Sequence, residues 1–155
     1  MKKKFALTLV SLASVALLAA CGEVSTTGNS GSASGTEIGK TLKIGFNFEE
    51  TGDVASYGTA EQKAAKLAVD EINKAGGVDG KQIEITDKDN KSELSEASTV
   101  STNLVTQAKV NAIIGPATSG GTGAAITNAA KASVPLITPS GTQDDLTKGQ
   151  DYLFR

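Results

Sequence analysis

The sequence predicts an α/β protein built on a doubly wound parallel sheet, and three observations carry that expectation. From Thr41 onward, short apolar runs alternate with longer amphipathic stretches. The connections between them are tight. A glycine-rich turn, GPATSGGTG (Gly115 to Gly123), directly follows a continuous apolar run and leads into a helix. Strand–helix alternation with short connections is the pattern of a parallel sheet whose faces are covered by helices.

The elements follow in order. LKIGFNF (Leu42 to Phe48) reads as the first strand. In the stretch from Tyr57 to Gly77, Ala60, Ala64, Leu67, Ala68, Ile72 and Ala75 share one helical face, with Lys and Glu opposite. Gly76-Gly77 stops this helix. QIEIT (Gln82 to Thr86) is the second strand. Leu94, Ala97, Val100, Leu104, Val105 and Ala108 repeat as a second helix, with Asn90 and Glu93 as a cap pair at its start. VNAIIG (Val110 to Gly115) is an apolar strand of the kind buried on both faces. Ala124 to Ala132 is a third helix, VPLIT a fourth strand, and YLFR (Tyr152 to Arg155) the start of a fifth. Arg155 falls in or just after a strand, so the chain reads as the N-terminal part of a longer protein.

The first 40 residues stand apart from this pattern. Lys2, Lys3 and Lys4 precede an apolar run from Phe5 to Leu18, and LAAC (Leu18 to Cys21) closes it. Residues 1–20 therefore read as a lipoprotein signal peptide, too short and too abruptly ended for a membrane span. Cys21, the only cysteine, falls at the cleavage point, so it is the expected lipidation site and no disulfide can form. Two acyl chains, with each buried CH₂ contributing ~0.8 kcal/mol, suffice for stable attachment to a membrane surface. The rest of residues 21–40 is a Gly/Ser/Thr-rich linker that cannot bury enough apolar surface to fold. Residues 41–155 form the folded unit. Without the leader, 12 basic residues face 17 acidic ones, which argues against a nucleic-acid partner.

In a doubly wound sheet, ligands bind outside the carboxyl ends of the strands. That rule nominates Asn47 to Tyr57, Asp87 to Lys91, Gly115 to Thr122 and Pro139 to Asp145. GPATSGGTG nearly matches the phosphate-binding pattern G-x-x-x-x-G-K-[ST], but Gly121 stands where the lysine is required. A helix start without lysine suits one carboxylate. Ser119 is expected as the N-cap, and the N–H groups of the glycines after it point out of the helix end. The same spacing is also satisfied if Ser119 only caps its own helix. TPSGTQDDLT (Thr138 to Thr147) offers free carbonyls and the Thr142 hydroxyl for an α-ammonium group. Alternatively it is a Pro/Gly turn leading to a helix cap at Thr142 or Asp144.

Enzyme chemistry is poorly supplied. No histidine is present, so neither a Ser-His-Asp triad nor a His metal site can be built from these residues. DKDNKS (Asp87 to Ser92) starts like a calcium loop and then fails, with Lys91 fifth and Ser92 where glycine is needed. It is read as a solvated loop, and neither a metal nor a cofactor is expected. Glu49 and Glu50 follow the first strand and could face the cleft, but paired carboxylates with no partner read more readily as exposed.

Taken together in this order, LAAC, the linker, KIGFNFEETGDVASYG, AVDEINKAGGVDGKQIEI, IIGPATSGGT and VPLITPSGT make the chain resemble the leucine/isoleucine/valine-binding proteins of ABC importers. These have the periplasmic binding protein type I fold. The resemblance runs from about Leu42 to Arg155 and implies that this is part of the first lobe of a two-lobed protein that closes on an amino acid. By motif, it implies that Ser119 binds the ligand α-carboxylate through its hydroxyl and N–H. Ser140, through its carbonyl, and Thr142, through its hydroxyl, would take the α-ammonium or share the carboxylate. Tyr57 would cover the ligand, and Ala117 and Thr118 would line its side-chain pocket. The second lobe, which supplies an acidic partner for the ammonium in the family, is missing from these residues.

The resemblance further implies a branched-chain amino acid as ligand, an ABC permease complex as partner, and a monomer anchored to the membrane through lipid. The expected location is the outer face of the cytoplasmic membrane, and lysine outnumbering arginine favours a Gram-positive surface over a periplasm. Two alternatives remain at this stage. One is a same-fold binder of an amide, urea or aromatic acid, and the other is a tethered sensor domain.

Overall fold

The structure, a computed structural model, describes residues 37–155. The leader assigned to residues 1–20, Cys21 and most of the linker lie outside the described residues. Residues 37–41 carry no regular structure. The described chain then runs β1 (Leu42–Phe48), α1 (Ala55–Lys74), β2 (Ile83–Asp89), α2 (Leu94–Asn103), β3 (Ala112–Ile114), α3 (Ser119–Lys131), β4 (Leu136–Ile137) and β5 (Leu153–Phe154). A π-helical turn, Leu104–Ala108, extends α2. The five strands form one sheet in the order β2-β1-β3-β4-β5, and every pairing is parallel. This is the doubly wound α/β class that the alternating pattern predicts.

Strand β1 shows why the sheet needs helices on both sides. Side chains alternate along a strand. Ile44, Phe46 and Phe48 point to one face, where they pack with Val69 of α1. Gly45 faces Leu104 on the other side, and the Asn47 side chain donates to the Ala97 carbonyl of α2 at 2.9 Å. The second face carries the larger cluster, including Val100, Leu104, Val110, Ile113, Ala125, Ile126, Ala129, Val134, Leu136 and Leu153. One helix cannot span five strands: Ile137 and Phe154, at the far edge from α1, remain exposed.

Two local expectations are corrected. The apolar stripe read on one face of α1 does not pack on the sheet but faces solvent: Leu67 is 59% and Ile72 39% exposed, and Ala60, Ala64, Ala68 and Ala75 are exposed with them. The helix instead buries Gly58, Gln62 and Val69, with Ala65 half-buried beside them. Close approach selects that face. A Cβ on Gly58 would lie 2.2 Å from the Glu49 carbonyl oxygen, so only glycine lets α1 rest on the end of β1. Gln62 is satisfied there, its Nε2 donating to Asp87 Oδ2 at 2.8 Å. The cap pair at α2 is also absent. Glu93 is the N-cap residue and makes no side-chain cap bond, while Asn90 is 1% exposed. Asn90 turns inward and donates to Asn47 Oδ1 at 3.1 Å, so the segment read as a solvated loop is a structural joint.

The glycine stop of α1 is as expected. Gly77, at φ +83°, donates its N–H to the Ile72 carbonyl at 2.9 Å, closing the helix end.

Candidate functional site

The carboxyl ends of β1, β3 and β4 lie side by side, and the chain reverses direction of travel across the sheet between β1 and β3. Loops that diverge at such a point leave a crevice. Here the crevice has a volume of about 420 Å³ and is lined by Val54, Tyr57, Ala117, Thr118, Ser119, Ser140 and Thr142. All six residues singled out as ligand contacts in the sequence lie around this one cavity. Val54 completes its wall.

The start of α3 is built differently from the expectation. Thr118, not Ser119, is the N-cap: its hydroxyl oxygen accepts from the Gly121 N–H at 3.1 Å. Ser119 is the first helical residue, and its hydroxyl oxygen accepts from the N–H groups of Thr142 (3.1 Å) and Gln143 (3.2 Å). This contact pins the β4 loop to the start of α3. A hydroxyl has two acceptor positions and one proton. With both acceptor positions taken, the Ser119 O–H is left as a donor. The N–H groups of Ser119 and Gly120 precede the helical ladder and find no acceptor among the described residues. A hydroxyl and two amides therefore form a small donor set at the positive end of a helix dipole.

The β4 loop supplies the complementary polarity. The Ser140 hydroxyl lies 2.9 Å from the Ala117 carbonyl and 2.5 Å from Glu61 Oε1, two acceptors for one proton. Its side chain is occupied, which leaves the main-chain carbonyl as the group able to meet a ligand. The segment from Gly141 to Gln150 forms turns and no helix, so the cap at Thr142 or Asp144 considered from sequence is not formed. Thr138, 1% exposed, donates its hydroxyl proton to the Pro116 carbonyl at 2.8 Å and accepts from the Gly141 N–H at 3.0 Å. These bonds hold the two loops at fixed separation.

Glu49 is the residue that sequence reasoning misjudged. It is 1% exposed, and its carboxylate accepts from the Ala117 N–H (2.9 Å), the Thr118 N–H (3.3 Å) and the Thr118 hydroxyl (2.8 Å). The signal was present in the strand parity. Continuing the alternation of β1 by one step puts Glu49 on the same face as Gly45 and Asn47, toward α2 and α3, where no solvent lies. Glu61 was also passed over, as one polar residue among several on an amphipathic helix.

The outer loops carry opposed titrations. Burial, and after it the charge of Asp87, push the Glu50 carboxyl above its ordinary 4.5. Asp89 is also pushed up by burial. The Thr51 hydroxyl and the N–H groups of Lys91, Thr51 and Glu50 donate to it, however, and together hold it below its ordinary 3.8. A raised acid favours the folded state below its unfolded value and loses that contribution as pH rises; a lowered acid loses its contribution as pH falls. These two groups therefore predict a gain in stability on acidification from neutrality to about pH 4.5. Below about pH 3.8 they predict a loss. Melting temperatures measured against pH check this, and Glu50→Gln should flatten the gain while leaving the loss.

A donor set of this size at the switch point of an α/β sheet, facing a cavity fit for a small molecule, is the arrangement small-ligand binding domains present. Comparison with known proteins agrees with that class. The chain belongs to the periplasmic binding protein family, whose model matches residues 41–155. It is 34% identical over 126 residues to a leucine-, isoleucine-, valine-, threonine- and alanine-binding protein of Pseudomonas aeruginosa, covering 81% of this chain and 34% of that one.

Among solved structures, it is 74% identical to the branched-chain amino acid transporter substrate binding protein LivJ of Streptococcus pneumoniae, determined in complex with isoleucine. That match has a TM-score of 0.73 and covers 74% of this chain and 33% of the other. A solute binding protein of an ABC transporter from Rhodopseudomonas palustris, in complex with 3,4-dihydroxybenzoic acid, is 31% identical with a TM-score of 0.68. The match covers 74% of this chain and 31% of the other. The chain thus spans about a third of the length of the relatives it matches.

Proposed function

We propose that this chain is the ligand-gripping part of an extracytoplasmic lipoprotein that captures branched-chain L-amino acids and hands them to an ABC permease. The observation that carries the reading is the polarity of Ser119. Its hydroxyl is forced to donate, beside the two amides of Ser119 and Gly120, at a helix start that has no lysine. In this reading the ligand carboxylate sits on those three donors. Its ammonium meets the Ser140 carbonyl and the Thr142 hydroxyl, and Tyr57, 65% exposed at the rim, closes over it. Isoleucine in the streptococcal relative supports the choice of ligand. Binding without chemistry fits the donor set, so the protein is read as a carrier and not an enzyme.

Cys21 as lipid anchor, residues 1–20 as its signal and residues 21–40 as a tether complete the proposal. The protein would act as a monomer on the outer face of the cytoplasmic membrane, at a Gram-positive surface. A second reading, an aromatic-acid binder, draws on the relative that holds dihydroxybenzoic acid, because the same three donors would accept any carboxylate. The ammonium acceptors separate the two. Titration of the complete gene product with L-isoleucine, L-leucine, L-valine, D-leucine, benzoate and urea should give binding to the three L-amino acids, with micromolar affinity corresponding to about −8 kcal/mol. Binding of benzoate in preference to isoleucine would replace the amino acid with an aromatic acid.

A further inference from the structure

We propose that Glu49 is a built-in anion of the binding loop that restricts it to the single carboxylate of a zwitterion and turns away ligands with a second negative charge. The inference rests on the amino-acid reading of the same cavity and deepens it. Consecutive N–H groups at a helix start form a nest that holds phosphate or sulfate well, because several amides converge on one anion. The segment from Ala117 to Gly121 is such a nest. In this protein most of it is already filled from within.

Glu49 takes the N–H groups of Ala117 and Thr118 and the Thr118 hydroxyl proton. Thr118 in turn caps Gly121. Only the amides of Ser119 and Gly120 and the Ser119 hydroxyl are left for a ligand. Three donors and no acceptor surround the Glu49 carboxyl, the setting of an acceptor-only carboxylate. It forms no ion pair among the described residues: Lys66 pairs with Asp87, and Lys91 with Glu96. At 1% exposure its charge is little screened by water.

A second carboxylate, Glu61, stands behind Ser140, with its Oε2 buried and unpartnered. Two residues that line the cavity, Thr118 and Ser140, are thereby each bonded to a carboxylate. The field of these carboxylates favours a ligand that brings an ammonium with its carboxylate and opposes one that brings two negative charges. The missing lysine and the buried glutamate are parts of one device: a cation is absent and an anion is supplied, and both lower the affinity for phosphate.

The test uses the complete gene product as wild type, Glu49→Gln and Glu49→Asp, with affinities for L-isoleucine and inorganic phosphate measured by direct titration and by competition at constant ionic strength. Glu49→Gln keeps the shape and removes the charge, and its phosphate-to-isoleucine affinity ratio should rise by on the order of tenfold or more. Glu49→Asp keeps the charge but shortens the reach to Ala117. Its ratio should stay near wild type while isoleucine binds more weakly. A ratio unchanged in Glu49→Gln, with isoleucine still bound, would overturn the proposal.

If the wild type binds no branched-chain amino acid, the ligand assignment fails, and direct phosphate titration of wild type against Glu49→Gln still decides the role of Glu49. If Glu49→Gln does not melt cooperatively, the wild type decides alone. Isoleucine affinity unmoved by 50-fold excess phosphate supports the device, and competition by phosphate at that excess refutes it.

Discussion

Replacing Ser119 by alanine in the complete gene product is expected to weaken isoleucine binding roughly 10- to 100-fold. The substitution removes one charge-assisted hydrogen bond to the ligand carboxylate, worth about 1.5–3 kcal/mol, and each 1.4 kcal/mol is about a factor of ten in affinity. It also removes the acceptor shared by the Thr142 and Gln143 N–H groups, which frees the β4 loop and adds an ordering cost to binding. Stability should move little. Thr142 and Gln143 are exposed, so water replaces the lost acceptor, and surface substitutions usually stay within about 0.5 kcal/mol. Calorimetric titration alongside thermal melting separates the two effects. A dissociation constant within twofold of wild type would remove Ser119 from the site.

Phe46→Ala is expected to show the opposite pattern. Phe46 is fully buried in the middle of β1, and its ring meets Phe48 edge-on with centroids 5.6 Å apart. Truncation empties a ring-sized volume between β1 and α1, and large-to-small changes of this kind cost about 3–5 kcal/mol. Part of that cost is the lost aromatic pair, about 0.5–1.5 kcal/mol. The cavity wall begins at Val54, eight residues further on, and is otherwise formed by α1 and the loops after β3 and β4, so protein that remains folded should bind isoleucine with nearly wild-type affinity. A urea midpoint lowered in proportion, with affinity kept, is the expected result. A stability loss under 1 kcal/mol would mean that α1 collapses onto the gap.

These two residues also mark how far the sequence could be read. Phe46 was legible as core because β1 is a mostly apolar strand, and the parity that sets Leu42, Ile44, Phe46 and Phe48 against Lys43, Gly45 and Asn47 puts it inside. Ser119 was legible as a cavity-lining residue because a glycine-rich turn after a buried strand, at the expected switch point, leaves few other places for a ligand. The cap assignment missed by one residue. Thr118 and Ser119 are both good caps, and the choice between them is made by Glu49 and by the N–H groups of Thr142 and Gln143, more than 20 residues away along the chain. The α1 stripe was misread for a related reason. Periodicity identifies an apolar face, but the face that docks is the one whose small residues allow the helix to touch the end of β1, and Gly58 decides that.

The sequence by itself determined the elements, their order and the loops that could hold a ligand. Those depend on periodicity, glycine stops and the composition of neighbouring residues, all of which are local. Only the tertiary structure decided which hydroxyl donates and which accepts, which face of α1 is buried, and that the Glu49 carboxyl is buried behind the cavity. Each of these is set by a partner distant in sequence, and a hydrogen-bonding group has no fixed role until that partner is in place.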